Sequence, residues 1–241
     1  LLMLTVKEPR RKGMGQDLAQ SVSVKDAVAF MFKNWKVYFS VFIGFAILAS
    51  PITSSITWFP TYFQRIHGMS IADSGRVLGL ILFFLSSSGV IFGGWLGDYL
   101  KKKQYQDGYF RVGLIASILP VPFTLFVTST SNLDAIIMLL CPFIFFASMP
   151  IAIGPIILQV ITPNQLRAQV AAVYMLFLNL LTAILVTTGI GLITDYVYQD
   201  QNAIGQSIMV VNLISAPLAF LALSFGIYHY NKSQTRTTGN E

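Results

Sequence analysis

The amino-acid sequence predicts an all-α integral membrane protein with six transmembrane helices, arranged as a 3+3 inverted repeat. Apolar residue types make up 54% of the 241 residues, and charged types make up only 11%. A soluble globular domain carries about 25% charged residues, so most of this chain is expected to lie in lipid. Six long uncharged stretches, and a motif repeated at the ends of two of them, predict the number and the arrangement of the helices.

Each uncharged stretch is long enough to cross a bilayer as an α-helix, which takes roughly 20 residues. The stretches lack the strict alternation of polar and apolar residues that a membrane-spanning strand shows. Helices are also favoured because they satisfy their own backbone hydrogen bonds in lipid. The predicted spans, numbered one to six, lie within residues 37–64, 77–97, 112–133, 135–166, 168–194 and 201–231.

The sequence divides into four parts along the chain. Residues 1–6 are predicted to end a preceding transmembrane helix, 7–36 to form a cytoplasmic linker, 37–231 to form the six-helix transmembrane half and 232–241 to form a cytoplasmic tail. The linker contains an apolar stripe at helical spacing, which fits a helix lying on the membrane surface and fits a packed linker helix equally well. The stripe consists of Val24, Ala27, Val28, Met31, Phe32 and Trp35.

The basic residues predict the orientation of the chain. Fourteen of the 16 Lys and Arg residues lie on one predicted side, and only Arg65 and Arg76 lie on the other. The positive-inside rule therefore places both termini in the cytoplasm, with the spans in the plasma or inner membrane. We interpret the net charge of +6 as this topology signal, in preference to a nucleic-acid-binding surface.

A motif at the ends of spans two and five predicts the inverted repeat. Gly94-x-x-x-Asp98-Tyr and Gly191-x-x-x-Asp195-Tyr are each followed by an aliphatic residue. Spans one and four also share an Ala-Ser pair followed closely by proline. The predicted topology places Asp98 and Asp195 on opposite sides of the membrane, which makes the repeat inverted, as in many secondary transporters. It also separates the two carboxylates by roughly a bilayer and excludes an aspartyl-protease dyad between them.

Several segments resemble the major facilitator superfamily, and most of all its spinster-like branch. The resemblance extends from about Lys7 to Tyr230 and rests on Trp58-Phe-Pro60, Arg65-Ile-His-Gly-Met-Ser70, Gly75, Gly79 and Gly93-Gly-Trp-Leu-Gly-Asp98. It implies a twelve-helix protein whose two six-helix halves surround a central cavity and exchange inward- and outward-open states. It also implies an N-terminal half as a partner of this chain, and substrates that include lysolipid and sphingoid-like amphiphiles.

Two loops are similar to signature segments of that superfamily and supply candidate gating residues. Gly94-x-x-x-Asp98 followed by Lys101, Lys102 and Lys103 is similar to the cytoplasmic loop signature, although Tyr99 and Leu100 depart from it. Pro163-Asn-Gln-Leu-Arg167-Ala resembles the segment between the fourth and fifth helices of a half. We expect Asp98, the three lysines and Arg167 to contribute to gating; a solvated basic loop that only sets topology is the alternative for the lysines.

The candidate cavity residues are uncharged, because none of the ten acidic residues lies near the centre of a predicted span. In span one, the hydroxyls of Ser50, Ser54, Thr57 and Thr61 are spaced to share one helix face, and the first helix of each half lines the cavity in the family that the chain resembles. Hydroxyls that bond their own helix or join neighbouring helices are the alternative. The further cavity candidates are Trp58, Ser148, Gln159, Asn179 and Thr182.

The sequence therefore predicts a secondary active transporter of a small organic or amphiphilic substrate, with a coupled proton or ion as a possible partner. Any coupling carboxylate is expected outside these six spans. No phosphate loop, nucleophile elbow or His/Cys cluster occurs, so neither a metal, a cofactor nor an enzymatic activity is predicted. A channel or a membrane interaction protein remains the alternative function, and a membrane-embedded enzyme is the least favoured.

Overall fold

The structure is a computed structural model that describes residues 24–238. The segment predicted to end an earlier transmembrane helix and most of the predicted linker lie outside the described residues, as do residues 239–241. The described part contains six helices that are long and apolar enough to cross a membrane, in agreement with the sequence. No strand occurs between residues 24 and 238.

Span one is a succession of three helices that follow the short helix α1. Prolines lie in the first turns of the second and third of these helices, where the missing N–H group breaks the helical ladder. Gly68 adopts a left-handed conformation with φ of 64° and ends the last helix, as glycine commonly does. The helices are α1 (Val24–Lys33), α2 (Trp35–Leu48), α3 (Ser50–Thr57) and α4 (Phe59–His67).

Spans two and five share an unusual feature, because each contains π-helical turns. Span two consists of α5 (Ile71–Ile81), a π-helix (Leu82–Ser86) and α6 (Ser87–Lys102). Such turns widen the helix locally and occur frequently at functional sites. Span five consists of α11 (Arg167–Thr182), a π-helix (Ala183–Thr188), α12 (Gly189–Leu192) and a second π-helix (Ile193–Tyr198).

The remaining spans are built from α-helices, of which α9 begins at a polar cap and α8 at a proline. Asn132 caps span four by accepting hydrogen bonds from the backbone N–H groups of Asp134 and Ala135, which satisfies donors that a helix start leaves free. Span three consists of α7 (Gly108–Ile118) and α8 (Pro120–Ser129), span four of α9 (Leu133–Ser148) and α10 (Ile153–Ile161), and span six of α13 (Ile204–Thr238) after a short 3-10 turn.

The packing of the spans follows the predicted inverted repeat. Span one packs against span six, and span four packs correspondingly against span three. Span five packs against span one, and span two packs correspondingly against span four, while spans three and six contact each other. Exchanging spans one, two and three with spans four, five and six therefore interchanges the two contacts within each of the first two sets and maps the contact of spans three and six onto itself. The buried apolar residues form two clusters, one around Phe45 and another around Phe59, and each cluster contains residues of both repeats.

Glycines allow span two to approach span four closely. A Cβ atom at Gly89 would lie 2.2 Å from the carbonyl oxygen of Phe145, and one at Gly93 would lie 2.2 Å from that of Met149. Both contacts are to backbone atoms, so a larger residue at either position would require the two helices to separate. Gly94, the next residue, faces the other way and has no atom within 4 Å of its Cβ position.

Candidate substrate and gating sites

The four hydroxyls predicted to share one face of span one do not share one environment. Ser50 and Ser54 are completely buried, whereas Thr57 is exposed and Thr61 is half-buried. Ser50, Ser54 and Thr57 all lie in the single helix α3, and the break at its end separates only Thr61 from them. Exposure therefore differs along one continuous helix, and within the described part of the chain the stripe is accessible at its Thr57–Thr61 end.

Two of the four hydroxyls of this stripe form local hydrogen bonds. Ser54 donates to the carbonyl of Pro51 at 2.9 Å, and Thr57 donates to that of Thr53 at 2.8 Å. Ser54 also accepts a hydrogen bond of 3.3 Å from the side-chain amide of Asn212 in span six. Sequence reasoning missed Asn212, which is 3% exposed, although an amide within an apolar helix is itself a signal of an interhelical contact.

Trp58 connects span one to the first π-helix of span five. Its indole Nε1 donates to the carbonyl of Val186 at 3.3 Å. The indole ring also lies beside Gly191, where a Cβ atom would be 3.6 Å from the ring. Trp58 is half-buried, so it closes the junction between these two spans and still presents part of its ring outside.

A comparable polar contact connects span four to the π-helix of span two. The hydroxyl of Ser148 lies 2.9 Å from that of Ser86 and also forms a 2.7 Å hydrogen bond to the carbonyl of Ile144. Spans four and two are the repeat equivalents of spans one and five. Each repeat therefore has one side-chain hydrogen bond from its first span into a π-helical segment of the other repeat. Sequence reasoning identified Trp58 and Ser148 but missed both π-helical segments.

The other cavity candidates differ in exposure. Gln159 and Asn179 are exposed, whereas Thr182 is buried. Asn179 donates to the carbonyl of Met175 at 2.7 Å, and Thr182 donates to that of Leu178 at 2.8 Å. The side-chain carbonyl oxygen of the exposed Asn179 therefore remains available to a ligand, whereas the Thr182 hydroxyl is bonded within its own helix.

The structure brings Asp98 and Lys101 together around a tyrosine of span three. The phenol of Tyr109 donates to Asp98 at 2.7 Å, and the ammonium of Lys101 lies 5.5 Å from the centre of the same ring. Tyr109 was missed by sequence reasoning. Its ring occupies the space that Gly97 leaves free, since a Cβ there would lie 2.5 Å from the ring. The contact joins the ends of spans two and three.

The remaining gating candidates lie apart from Asp98. Lys103 lies 4.9 Å from the ring centre of Tyr99, and a hydrogen bond to that tyrosine raises the pKa of Lys103. Lys102 is exposed. Arg167 donates through Nε to the carbonyl of Thr162 at 3.1 Å, so it caps the end of span four rather than joining the Asp98 cluster.

A buried carboxylate in the loop before span three was not singled out by sequence reasoning. Asp107 is only 5% exposed, and it accepts hydrogen bonds from Arg111 at 2.9 Å and from Asn231 at 3.2 Å. The guanidinium of Arg111 also lies 4.1 Å from the ring centre of Tyr105. These contacts attach the loop to the end of span six.

Comparisons with known proteins identify the family of the chain. Residues 1–187 match the Major Facilitator Superfamily. The chain is 35% identical over 77 residues to the uncharacterized transporter YybO of Bacillus subtilis, a match covering 32% of the chain and 18% of YybO. It is 27% identical over 121 residues to a D-galactonate transporter of Escherichia coli, a match covering 48% of the chain and 28% of that protein.

The fold also resembles a solved transporter, a bacterial homologue of the human lysosomal transporter Spinster in an inward-facing, unoccupied conformation. The TM-score is 0.63 at 16% identity, over 95% of this chain and 56% of the solved one. The chain thus spans little more than half of the solved transporter, and less of the curated relatives. The fold likeness agrees with the predicted resemblance to the spinster-like branch, and the transporter relatives exclude the enzyme alternative. The chain belongs to the Major Facilitator Superfamily, and it is a multi-pass integral membrane protein.

Proposed function

We propose that this chain is the C-terminal six-helix half of a twelve-helix secondary carrier that moves a small organic substrate by alternating access. The observation that carries the proposal is the inverted packing of the six spans, in which spans two and five are the least enclosed. In the most apolar 18-residue stretch of each of these two spans, only 22% is buried, against 61% in span one and 50% in span four. Two equivalent, uncovered spans provide a surface for a second six-helix half.

Glycines on span two support the close approach of such a partner. Gly75, Gly79 and Gly94 each have no atom within 4 Å of the Cβ position. Small residues at four-residue spacing, such as Gly75 and Gly79, let two membrane helices pack backbone to backbone. Glycines that span two uses within this half, such as Gly93, have close neighbours instead. The open glycines therefore favour a helix from outside this chain as their neighbour.

The contacts between the repeats suit a carrier that exchanges two states. Trp58 and Ser148 each hold a π-helical segment through a side-chain hydrogen bond, which is worth about 0.5–1.5 kcal/mol net. Contacts of this size can break and form again during exchange between states. We propose the same role for the Asp98–Tyr109 bond, which lies at the other end of span two, as a contact that favours one state.

The relatives favour an organic acid as the substrate class. The D-galactonate transporter is related in sequence over almost half of this chain. The amphiphile alternative comes from the resemblance to the spinster-like branch, and the solved Spinster homologue is similar to this chain in fold. We propose that the accessible Thr57, Asn179 and Gln159, with the edges of Trp58 and Thr61, contact the substrate. The buried Ser50, Ser54, Ser148 and Thr182 then support the cavity wall. A proton-coupled mechanism would take its carboxylate from the other half.

Counterflow in proteoliposomes tests the carrier. Full-length protein is reconstituted, the vesicles are loaded with unlabelled D-galactonate, and uptake of the labelled compound is followed. A carrier gives saturable uptake that internal substrate stimulates, and Asn179→Leu is expected to raise the half-saturating concentration. Uptake that increases linearly with concentration and ignores internal substrate would indicate a channel. Counterflow of lysolipids, without counterflow of D-galactonate, would contradict the organic-acid assignment.

Cysteine labelling tests the proposed cytoplasmic location of both termini. In a Cys141→Ser background, cysteines are introduced at Gln106 and Ala72, which are both exposed and lie at opposite ends of span two. Gln106 is chosen over the neighbouring Asp107 because Asp107 is buried, so a cysteine there would be inaccessible to the reagent. An impermeant maleimide applied to intact cells should label position 72 and leave position 106 unlabelled until the membrane is opened. The reverse pattern would overturn the orientation.

A further inference from the structure

A polar cavity of about 400 Å³ lies where α1 meets the start of span one, between the ends of spans four and six. Its size is within the range of small-molecule pockets, about 300–1,000 Å³. The side chains that give it its chemistry are Lys33, Asn34, Lys36, His229 and Tyr230. Among residues 24–238, no acidic residue lines it. We call this cavity the basic cavity.

Two lysines give the basic cavity an uncompensated positive charge. Lys33 and Lys36 are both exposed, and neither makes an ion pair within the described part of the chain. The Nδ1 atom of His229 lies 3.0 Å from the carbonyl oxygen of Phe225, so its Nε2 atom remains for a ligand. The cavity therefore suits an anion.

An apolar groove of about 570 Å³ adjoins the basic cavity, and the two share Trp35 and Tyr38. The groove runs along the start of span one to Phe177 of span five. Its other lining residues are Met31, Phe32, Phe39, Phe42 and Ile43. The hydroxyl of Tyr38 bonds Thr162 at 2.8 Å, so the tyrosine presents its ring to the groove.

The aromatic residues of this groove are unusually open. Phe32 is 72% exposed, Trp35 is 50% exposed and Phe39 is 53% exposed. The predicted amphipathic stripe is thus divided in the structure, since Ala27 and Met31 pack into the bundle while Phe32 and Trp35 do not. Exposed tryptophan at the end of a membrane span is typical of the headgroup level of a bilayer.

We propose that the basic cavity and the apolar groove together bind one anionic phospholipid, with its phosphate between Lys33 and Lys36 and an acyl chain in the groove. A phospholipid carries an anionic group directly beside an apolar chain, which matches the order of the two sites along span one. A transmembrane helix of the second half would fill the groove but would leave both ammonium groups unneutralised. The site is separate from the proposed substrate contacts and does not depend on which substrate is carried.

Photo-crosslinking tests this proposal on the full-length transporter in nanodiscs of phosphatidylcholine. Trace phosphatidylglycerol or phosphatidylcholine, each with the same diazirine-bearing acyl chain, is added, and the labelled peptides are mapped. We expect the phosphatidylglycerol probe to label residues 31–43 preferentially. Each lysine near an anionic headgroup contributes a factor of about 5 in affinity, so Lys33→Gln with Lys36→Gln should reduce this preference by up to about 25-fold.

Two control variants separate charge at this site from general effects. Lys33→Arg with Lys36→Arg keeps both charges and should keep the preference, which also shows that substitution here leaves the fold intact. Lys25→Gln with Lys232→Gln removes the same charge outside the basic cavity and should leave labelling unchanged.

Two results would overturn the proposal. Equal labelling by both probes, unaffected by Lys33→Gln with Lys36→Gln, would show that the groove contacts bulk lipid without selecting a headgroup. Absence of labelling by either probe, together with disulfide crosslinking between a cysteine at Phe39 and the rest of the transporter, would show that the second half covers the groove.

Discussion

Two adjacent glycines in span two give a direct test of how this span packs. Gly93 faces span four and Gly94 faces away from it. A Cβ atom at Gly93 would lie 2.2 Å from the carbonyl oxygen and 2.9 Å from the carbonyl carbon of Met149, whereas one at Gly94 would meet nothing within 4 Å. Gly93→Ala and Gly94→Ala are therefore the same chemical change at neighbouring positions with opposite expected consequences.

The magnitude follows from the backbone contact. Ordinary packing distances begin near 3.5 Å, so Gly93→Ala requires spans two and four to separate by about 1.3 Å. Overpacking of this kind typically costs about 1–3 kcal/mol. Replacing glycine by alanine also favours the helix by about 1 kcal/mol, but this gain is common to both variants. The difference in stability between Gly93→Ala and Gly94→Ala therefore isolates the clash, at about 1–3 kcal/mol.

Thermal unfolding of the purified full-length variants measures this difference. Gly93→Ala should unfold several degrees below Gly94→Ala, and Gly93→Ser, which adds a hydroxyl as well, should be lower still. A Gly93→Ala midpoint equal to or above that of the unsubstituted transporter would refute the packing of span two on span four. If the second half packs against Gly94, Gly94→Ala should also reduce flux while Gly94→Ala protein remains correctly inserted.

Three further predictions concern single side chains. Tyr109→Phe and Asp98→Asn should each slow flux and leave substrate binding in a locked conformer nearly unchanged, because the first removes the 2.7 Å bond and the second removes the charge that strengthens it; normal flux at normal expression would contradict this. Trp58→Phe should lower the unfolding free energy by about 0.5–1.5 kcal/mol by removing the donor to Val186, and an unchanged melting midpoint would argue against that bond. Burial lowers the pKa of His67 below 6.5. The unfolded chain therefore takes up this proton first, so stability should fall as the pH falls below about 6.5, and His67→Gln should flatten the melting profile between pH 7.5 and 5.0.

The sequence predicted the six spans because bilayer thickness and backbone hydrogen bonding leave few alternatives. An uncharged stretch of sufficient length must be helical in lipid, and the structure places a helix in each predicted stretch. The inverted repeat was predictable from the motif pair ending at Asp98 and Asp195. The two copies end spans two and five, and because these spans are an odd number of crossings apart, the copies lie on opposite sides of the membrane. These inferences depend on long-range constraints that many residues share.

Local breaks within a span were not predictable in the same way. The assumption of one continuous helix placed Ser50 and Thr61 on a common face, yet the break at the end of α3 lies between them, and the structure buries the first and only half-buries the second. Proline signals a possible kink, but the resulting rotation depends on which neighbour accepts the freed backbone groups. The π-helical segments have no composition signal at all, since Leu82–Ser86 resembles any apolar helix.

Individual partners were the least predictable part of the site. Asp98 was singled out beside three lysines, which suggested an ion pair. In the structure its partner is the Tyr109 phenol, held where Gly97 leaves room for the ring. Both residues are visible in the sequence, but only the packing of span three on span two shows that they meet.

In the proposed carrier, which exchanges two states, the uncharged character of the contacts between the repeats has a physical reason. A charged side chain at the centre of a membrane helix costs about 2.5–3.5 kcal/mol, and breaking a buried ion pair leaves both charges uncompensated. The hydroxyl, indole and carbonyl groups of Ser86, Ser148, Trp58 and Val186 instead form bonds worth about 1 kcal/mol each. A ligand needs a differential affinity of only this order to change the balance between two arrangements by severalfold. We infer that the two π-helical segments are positioned where substrate binding can shift the equilibrium at the lowest energetic cost.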